Sequence, residues 1–460
     1  MIFCITIQFT IVFEMLLVRQ PLIMEEFTFL PFPNVKDSLP QTLAQKIIAH
    51  ASGKAEVKVG EIEVGSVDLA MIHDSGGPRR VAPILERLDV GVWDPEKLVV
   101  ITDHYVPTFD ADSESILNLT RRWVQEQGVK RFHDEEGICH VVLPENGHLR
   151  PGMFVVGGDS HSPTGGAFGC YMFGIGATEM AGVLATGQIW IRVPETIRIE
   201  WNGTFSNAVM AKDMMLFLCG TMGMDGGRYQ AIEFCGDAVS NLSMQERMTL
   251  SNMSAELGAQ AGLIAPDETT IKWLSSHKSD IRDWKKWYSD PDADFDHHLF
   301  QAEDLEPQVA APHSPANASA VSDFEKIRPM VLYLGACTGA KLQDLRAAAG
   351  ILEGKKVHSG MEFWVAPSSL RDLQQAKKEG VLRILENAGA KILPSSCGLC
   401  AGYGPKRLGE GVICLSSTAR NFKGRMGDET SEVYLASPMT VAASAITGQI
   451  SDPRLFLQDQ

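Results

Sequence analysis

The sequence predicts an α/β/α architecture on mostly parallel sheets, and three observations carry that expectation. Short, largely apolar runs such as Val67–Ile72 and Leu98–Ile101 have the length of buried strands. Each run ends in polar chemistry, His73-Asp74-Ser75 after the first and Asp103-His104 after the second. Strand-like runs alternate with segments of three- and four-residue apolar spacing, the periodicity of helices. Ligands of such folds bind just past the carboxyl ends of the strands, where these polar residues fall.

Taken in order, Ser38–Ile48 reads as a helix, followed by the two strands above. His140 opens a third polar site ahead of strand-like Val141-Val142-Leu143. The glycine-dense stretch Val155–Gly166 reads as a strand running into a tight loop that presents Asp159, Ser160 and His161. Glycines there let the backbone approach a ligand closely. The stretch is not a phosphate-binding fingerprint, having neither G-x-x-x-x-G-K nor G-x-G-x-x-G spacing. A helix over Ala177–Thr186 and a strand over Ile197–Trp201 complete a first domain, placed at 39–201. A second domain, 202–325, has a strand at Ile232-Glu233-Phe234 and a long helix over Met244–Ala261. That helix would put Asn252 and Glu256, four apart, on one face. Residues 272–325, charged and then Pro/Ala/Ser-rich, read as an insertion and linker. A third domain, 326–460, resumes the strand–helix alternation.

A chain of 460 residues is too long for one ordinary core, in keeping with several domains. The formal net charge of -16 argues against nucleic acid as the main partner. Nine cysteines, odd in number and scattered, do not form a disulfide framework and point to a reducing compartment such as the cytoplasm or an organellar matrix. Residues 1–38 read as an N-terminal extension. Its apolar stretch from Met1 to Ile23 is interrupted by Gln8, Glu14 and Arg19 and lacks a basic start and a small-residue cleavage site. It falls short of the roughly 20 uninterrupted apolar residues of a membrane span. An extra strand, or a working start at Met24, is the simpler reading.

Cys397 and Cys400 sit three apart in a turn of small residues, Ser395–Gly404. Such a pair serves as a redox couple, as half a zinc site, or as part of an iron–sulfur cluster. Cys337, directly after the apolar run Val331–Leu334, is the candidate third thiol, and His358 is a faint candidate for a zinc ligand. Asp103-His104, His140 and Asp159-Ser160-His161 set carboxylates beside imidazoles, which fixes the tautomer and raises the basicity of each ring. Arg420 and Arg425 flank a glycine-containing loop, and guanidinium forks clamp carboxylates.

These motifs, in this order, resemble the aconitase superfamily, and within it the large subunits of 3-isopropylmalate dehydratase and their homoaconitase relatives. The carrying residues are Asp103–Thr108, Gly137–His140, Gly158–Ser162, Asn252–Glu256, Cys337-Thr338, Cys397-x-x-Cys400 and Arg420–Arg425. The resemblance implies three α/β/α domains around a 4Fe–4S cluster held by Cys337, Cys397 and Cys400, with one iron open to substrate. It implies acid/base pairs Asp103–His104, Asp159 with His140, and Glu256 with His161. His73, Asp74, Ser160, Arg420 and Arg425 would line or grip the substrate, and Asn252 would bond near the cluster. The activity implied is a hydro-lyase of leucine biosynthesis that removes and re-adds water on a 2-hydroxy di- or tricarboxylate. Related substrates (homoaconitate, aconitate, methylmalate, maleate or citraconate) and a non-catalytic iron-responsive RNA-binding paralogue are the alternatives. The family's base sits in a Ser-Arg loop on a swivelling domain that has no match here. Ser368-Ser369-Leu370-Arg371 is not that loop, so a separate small swivel-domain subunit is expected to supply it. No membrane partner is expected. Gly339 and Ala419 stand where the family has asparagines, and the loop His73–Gly77 departs from its usual threonine-bearing form.

Overall fold

Three sheets of mostly parallel strands carry the residues singled out above. The computed structural model describes residues 39–277, 281 and 283–457, and the expected extension 1–38 lies outside them. The first sheet orders Arg131–Asp134, Leu98–Thr102, Leu69–His73, Phe154–Gly157 and Tyr171–Gly174, all parallel. The chain winds outward from Leu69–His73 to one edge, then restarts on its other side at Phe154–Gly157. That reversal opens a crevice beyond the carboxyl ends of those two strands. Leu69–His73 and Leu98–Thr102 are buried at every residue, as parallel strands covered on both faces must be.

The second sheet is parallel throughout, in the order Ala261–Leu263, Ala231–Cys235, Thr196–Asn202, Asp296–Gln301. The seven-stranded third sheet runs Ala318–Ala320, Gln308–Ala310, Glu432–Ala436, Ile413–Ser416, Val331–Leu334, Glu362–Val365, Lys391–Ile392. Only the first two of these strands are antiparallel to their neighbours. Its winding reverses between Val331–Leu334 and Ile413–Ser416, which opens a second crevice at the loops carrying Cys337 and Arg420.

Several elements differ from the sequence expectation. Val141-Val142-Leu143 is the middle of a helix, Cys139–Glu145, and not a strand. All of its residues are buried, and a short run that is apolar all round has no period to tell the two apart. The helix expected over Met244–Ala261 stops at Met253. Beyond it Ser254 donates to the carbonyl of Ser251, and the chain turns to form the strand Ala261–Leu263. Asn252 therefore sits in the last helical turn while Glu256 lies outside the helix. Residues 272–325 are woven into the fold and are not a linker. They give Asp296–Gln301 to the second sheet and two strands to the third, with Ala302, Val309 and Ala310 in the core. A charged, proline-rich stretch hides such pairing because strand partners come from distant sequence. The first helix begins at Leu43, because Thr42 caps it in a capping box with Gln45.

Candidate active site

The two crevices face one polar cavity of about 310 Å³. Its walls include His73, Asp103, His104, His140, Asp159, Ser160 and His161 from the first sheet's loops, and Cys337, Cys397, Cys400, Arg420 and Arg425 from the third's.

On the first wall, His104, His140 and His161 are each paired with a carboxylate. Asp103 Oδ1 lies 2.6 Å from His104 Nδ1, while its Oδ2 accepts from the Cys139 backbone N–H at 2.8 Å. Burial disfavours the His104 cation, but the Asp103 charge beside it wins and raises the ring to about 10. The same pairing overcomes burial at Asp103 and holds its carboxyl well below the usual range. His73 stacks on His104, with ring centroids 4.2 Å apart. Burial first, and then the His104 charge, lower its basicity, so it stays neutral. Its Nε2 reaches the Gly158 carbonyl at 3.2 Å, across the first sheet's crevice. The turn that follows needs Gly77, whose added Cβ would sit 2.4 Å from the His73 carbonyl oxygen.

Asp159 links the next two rings. Its Oδ1 is 2.8 Å from His140 Nε2 and accepts from the His161 backbone N–H at 2.8 Å. Burial would raise its carboxyl, yet His140 and His161 hold it well below the usual range. His161 Nε2 lies 3.0 Å from Glu256 Oε1, which also accepts from Arg420 Nε at 2.5 Å. Arg420 and His161 together keep the buried Glu256 ionised, at about 2. Arg420 Nη1 donates to Ser160 Oγ at 2.8 Å.

Two expected site residues stand behind the wall. Asp74, expected to bind substrate, is fully buried and does not line the cavity. Its Oδ1 accepts from the backbone of Asp103 and His104, and its Oδ2 from Tyr105. Three amides hold both carboxylate oxygens away from the cavity, so Asp74 shapes the His104 loop instead. Glu256 is likewise absent from the lining and acts through His161 and Arg420. Its burial excludes a solvated helical glutamate.

On the second wall, the Cys397 amide donates to the Asp103 carbonyl at 2.8 Å, fastening the thiol turn to the imidazole wall. Asn252 Nδ2 donates to Cys337 Sγ at 3.3 Å and to Thr164 Oγ1 at 2.8 Å. The Cys397 thiol and, despite burial, the Arg425 guanidinium draw charge onto Cys400, lowering it to about 5. His358 does not line the cavity.

Sequence reasoning missed what supports this wall. Lys212 is buried, and its ammonium donates to the carbonyl oxygens of Ser417 (3.0 Å) and Thr418 and reaches Thr338 Oγ1 at 3.4 Å. Lys341, also buried, donates to the Cys337 carbonyl and to Thr249 Oγ1, both at 2.9 Å, and pairs with Asp344. Lys341 lies four residues past Cys337, a spacing that flags it only in hindsight. Gly339 is no simple loss of an asparagine, because an added Cβ would meet Ser417 Oγ at 2.2 Å. Ser417 fills that space and bonds the backbone of Gly335 and Gly339.

The residues present fit an iron–sulfur cluster. Three free cysteines line one cavity, and two lining residues carry buried polar atoms without protein partners, His140 Nδ1 and Arg425 Nε. Polar atoms are seldom buried unpaired unless a ligand or solvent meets them.

The sequence profile of the aconitase family (aconitate hydratase) matches residues 45–448. The 3-isopropylmalate dehydratase large subunit 1 of Methanopyrus kandleri is 44% identical over 91% of this chain and 100% of its own. That of Aquifex aeolicus is 42% identical over 90% of this chain and 96% of its own. A probable methanogen homoaconitase large subunit of Methanosarcina mazei is 43% identical over 85% and 99%. A solved aconitase X of Thermococcus kodakaraensis, 12% identical with a TM-score of 0.46, is too distant to carry an argument. The profile spans nearly the whole described fold and the chain covers 96–100% of these relatives' own length, so this chain belongs to the aconitase family.

Proposed function

We propose that this chain is the large subunit of an iron–sulfur hydro-lyase that dehydrates and rehydrates a small 2-hydroxy di- or tricarboxylate, with 3-isopropylmalate the leading substrate. The observation that carries this reading is the meeting, in one cavity, of three free cysteines, the acid/base groups and an arginine. Cys337, Cys397 and Cys400 would hold a 4Fe–4S cluster, which when bound supplies a Lewis acid at an iron without a protein ligand.

The chain's own groups do the rest. Arg420 spends Nε on Glu256 and Nη1 on Ser160, leaving Nη2 without a partner among the described residues to take a substrate carboxylate. The protonated His104, charged by Asp103, is the acid for the departing hydroxyl. Asp159 orients His140 and His161, so each ring presents a fixed edge to the cavity. Arg425, whose charge favours the Cys400 thiolate, neutralises charge at the thiol turn as well as lining the cavity.

We assign the base that takes the carbon-bound proton to a separate small subunit, the kind of partner that "large subunit" names in the relatives. The eight cysteines described are all free, in keeping with a reducing cytoplasm. Homoaconitate is the second substrate reading, because a homoaconitase large subunit is as similar as the dehydratases.

Anaerobic reconstitution with iron and sulfide, followed by addition of the cognate small subunit, tests the proposal. Unsaturated di- and tricarboxylates would then lose their enoate absorbance, with the isopropylmalate-derived enoate fastest. The chain alone should turn over almost nothing. Full activity without a partner, or none on any enoate with it, would sink the reading.

A further inference from the structure

Behind the active site lies a second and larger cavity, of about 710 Å³ and mainly apolar. It is built from the starts of two helices, Met244–Met253 and Leu342–Leu352, and from one side of Leu370–Lys378 and of Glu268–Ser276. Met244, Leu342 and Trp273 form its apolar lining, and His277 stacks on Trp273 at 4.3 Å.

Two polar atoms there are buried and unpartnered, Asp372 Oδ2 and Trp273 Nε1. Asp372 is only 3% exposed. Its Oδ1 accepts from Gln245 Nε2 at 3.1 Å, so the orphan is one specific acceptor and not a loose carboxylate. Burying such an oxygen unpaired is unfavourable, and a ligand's donor removes that cost. Exposed Lys272 and Lys378 also line the cavity, and neither has an ion-pair partner among the described residues. The other two cations are spent, Arg346 on Glu379 and Arg371 on the Glu145 carbonyl.

We propose that this cavity binds a small aliphatic carboxylate carrying a hydrogen-bond donor beside its carboxyl group, either an α-amino acid or a 2-hydroxy acid. The donor meets Asp372 Oδ2, the carboxylate meets Trp273 Nε1 and the two lysines, and the aliphatic part lies on Met244, Leu342 and the indole. An anion without a donor leaves Asp372 unpaired. A cation without a carboxylate meets the lysines' repulsion.

The cavity is wired to the catalytic helices. Gln245, which holds Asp372, lies in the first turn of the helix whose last turn carries Asn252. Asp372 and Glu145 share Ser369, whose hydroxyl accepts from the Asp372 amide and donates to Glu145 Oε1, each at 3.0 Å. Glu145 closes the helix whose first turn carries His140. Occupancy is therefore felt at the first cavity, and that consequence alone rests on the proposed hydro-lyase reading.

Titration calorimetry on the full chain with L-norvaline, L-2-hydroxyvalerate and valerate tests the site, because the three share one carbon skeleton and carboxylate and differ in the group beside it: a charged donor, a neutral donor or none. Saturable binding is expected for the amino acid, the hydroxy acid or both, about tenfold or more tighter than for valerate. Asp372→Ala and the milder Trp273→Phe should each weaken it, and Arg420→Lys, at the other cavity, should not. Equal affinity for valerate would overturn the proposal. So would no heat up to about 10 mM ligand, or binding that survives both variants and disappears in Arg420→Lys.

Discussion

The two walls of the active-site cavity are built on opposite plans. The imidazole wall is closed on itself: Asp103 holds His104, Asp159 holds His140 and His161, and Glu256 backs His161. The thiol wall is held from outside, its turns hung by carbonyl oxygens on the buried ammonium groups of Lys212 and Lys341, while its sulfurs form no disulfide. The difference separates two jobs. One wall fixes protonation states, and the other fixes backbone so that side chains remain available to a ligand.

Breaking the thiol wall should have the largest effect. Cys397→Ser should abolish iron and sulfide uptake and remove activity, read by iron analysis and visible absorbance after reconstitution. Retention of both would show that Cys397 is no ligand. On the imidazole wall, Asp103→Asn keeps the hydrogen bond but removes the charge that raises His104, and should lower kcat by about 10²–10⁴-fold with iron content unchanged. A loss of iron instead would erase the distinction between the walls. Arg420→Lys cannot bridge Glu256, Ser160 and a substrate at once, and should raise KM about 10–100-fold with a smaller change in kcat.

The smallest effect lies behind the imidazole wall, on stability alone. Burial, and then the Asp372 charge, push Glu145 up to about 8, and burial pushes Asp372 to about 6. The folded state thus holds protons that the unfolded state releases near the ordinary carboxylate range. Stability should fall as pH rises from the ordinary carboxylate range toward 8. Thermal melts across that range should show the slope, and Glu145→Gln should flatten its upper part, above the Asp372 value.

Much of the imidazole wall was legible in sequence because polar residues directly follow apolar runs at His73, Asp103 and Asp159, and parallel sheets put ligands there. The roles of Asp74 and Glu256 were not, since both differ from their neighbours only in where their carboxylates point. The thiol wall was half legible. Cysteines and arginines announce themselves, but Lys212 lies 125 residues before Cys337 (337 − 212) and reads as an ordinary helical lysine. Sequence shows Gly339 only as an absent asparagine, whereas in the fold Ser417 occupies the space that a side chain there would need. Val141–Leu143 was misread because a fully buried run carries no periodicity.

The central claim is that three thiols leave one iron for substrate, and Mössbauer spectroscopy of the ⁵⁷Fe-reconstituted chain with its small subunit tests it most directly. Addition of the hydroxycarboxylate should shift the signal of a single iron site and leave the others in place. A spectrum that substrate leaves unchanged, or one in which every iron moves alike, would contradict the account.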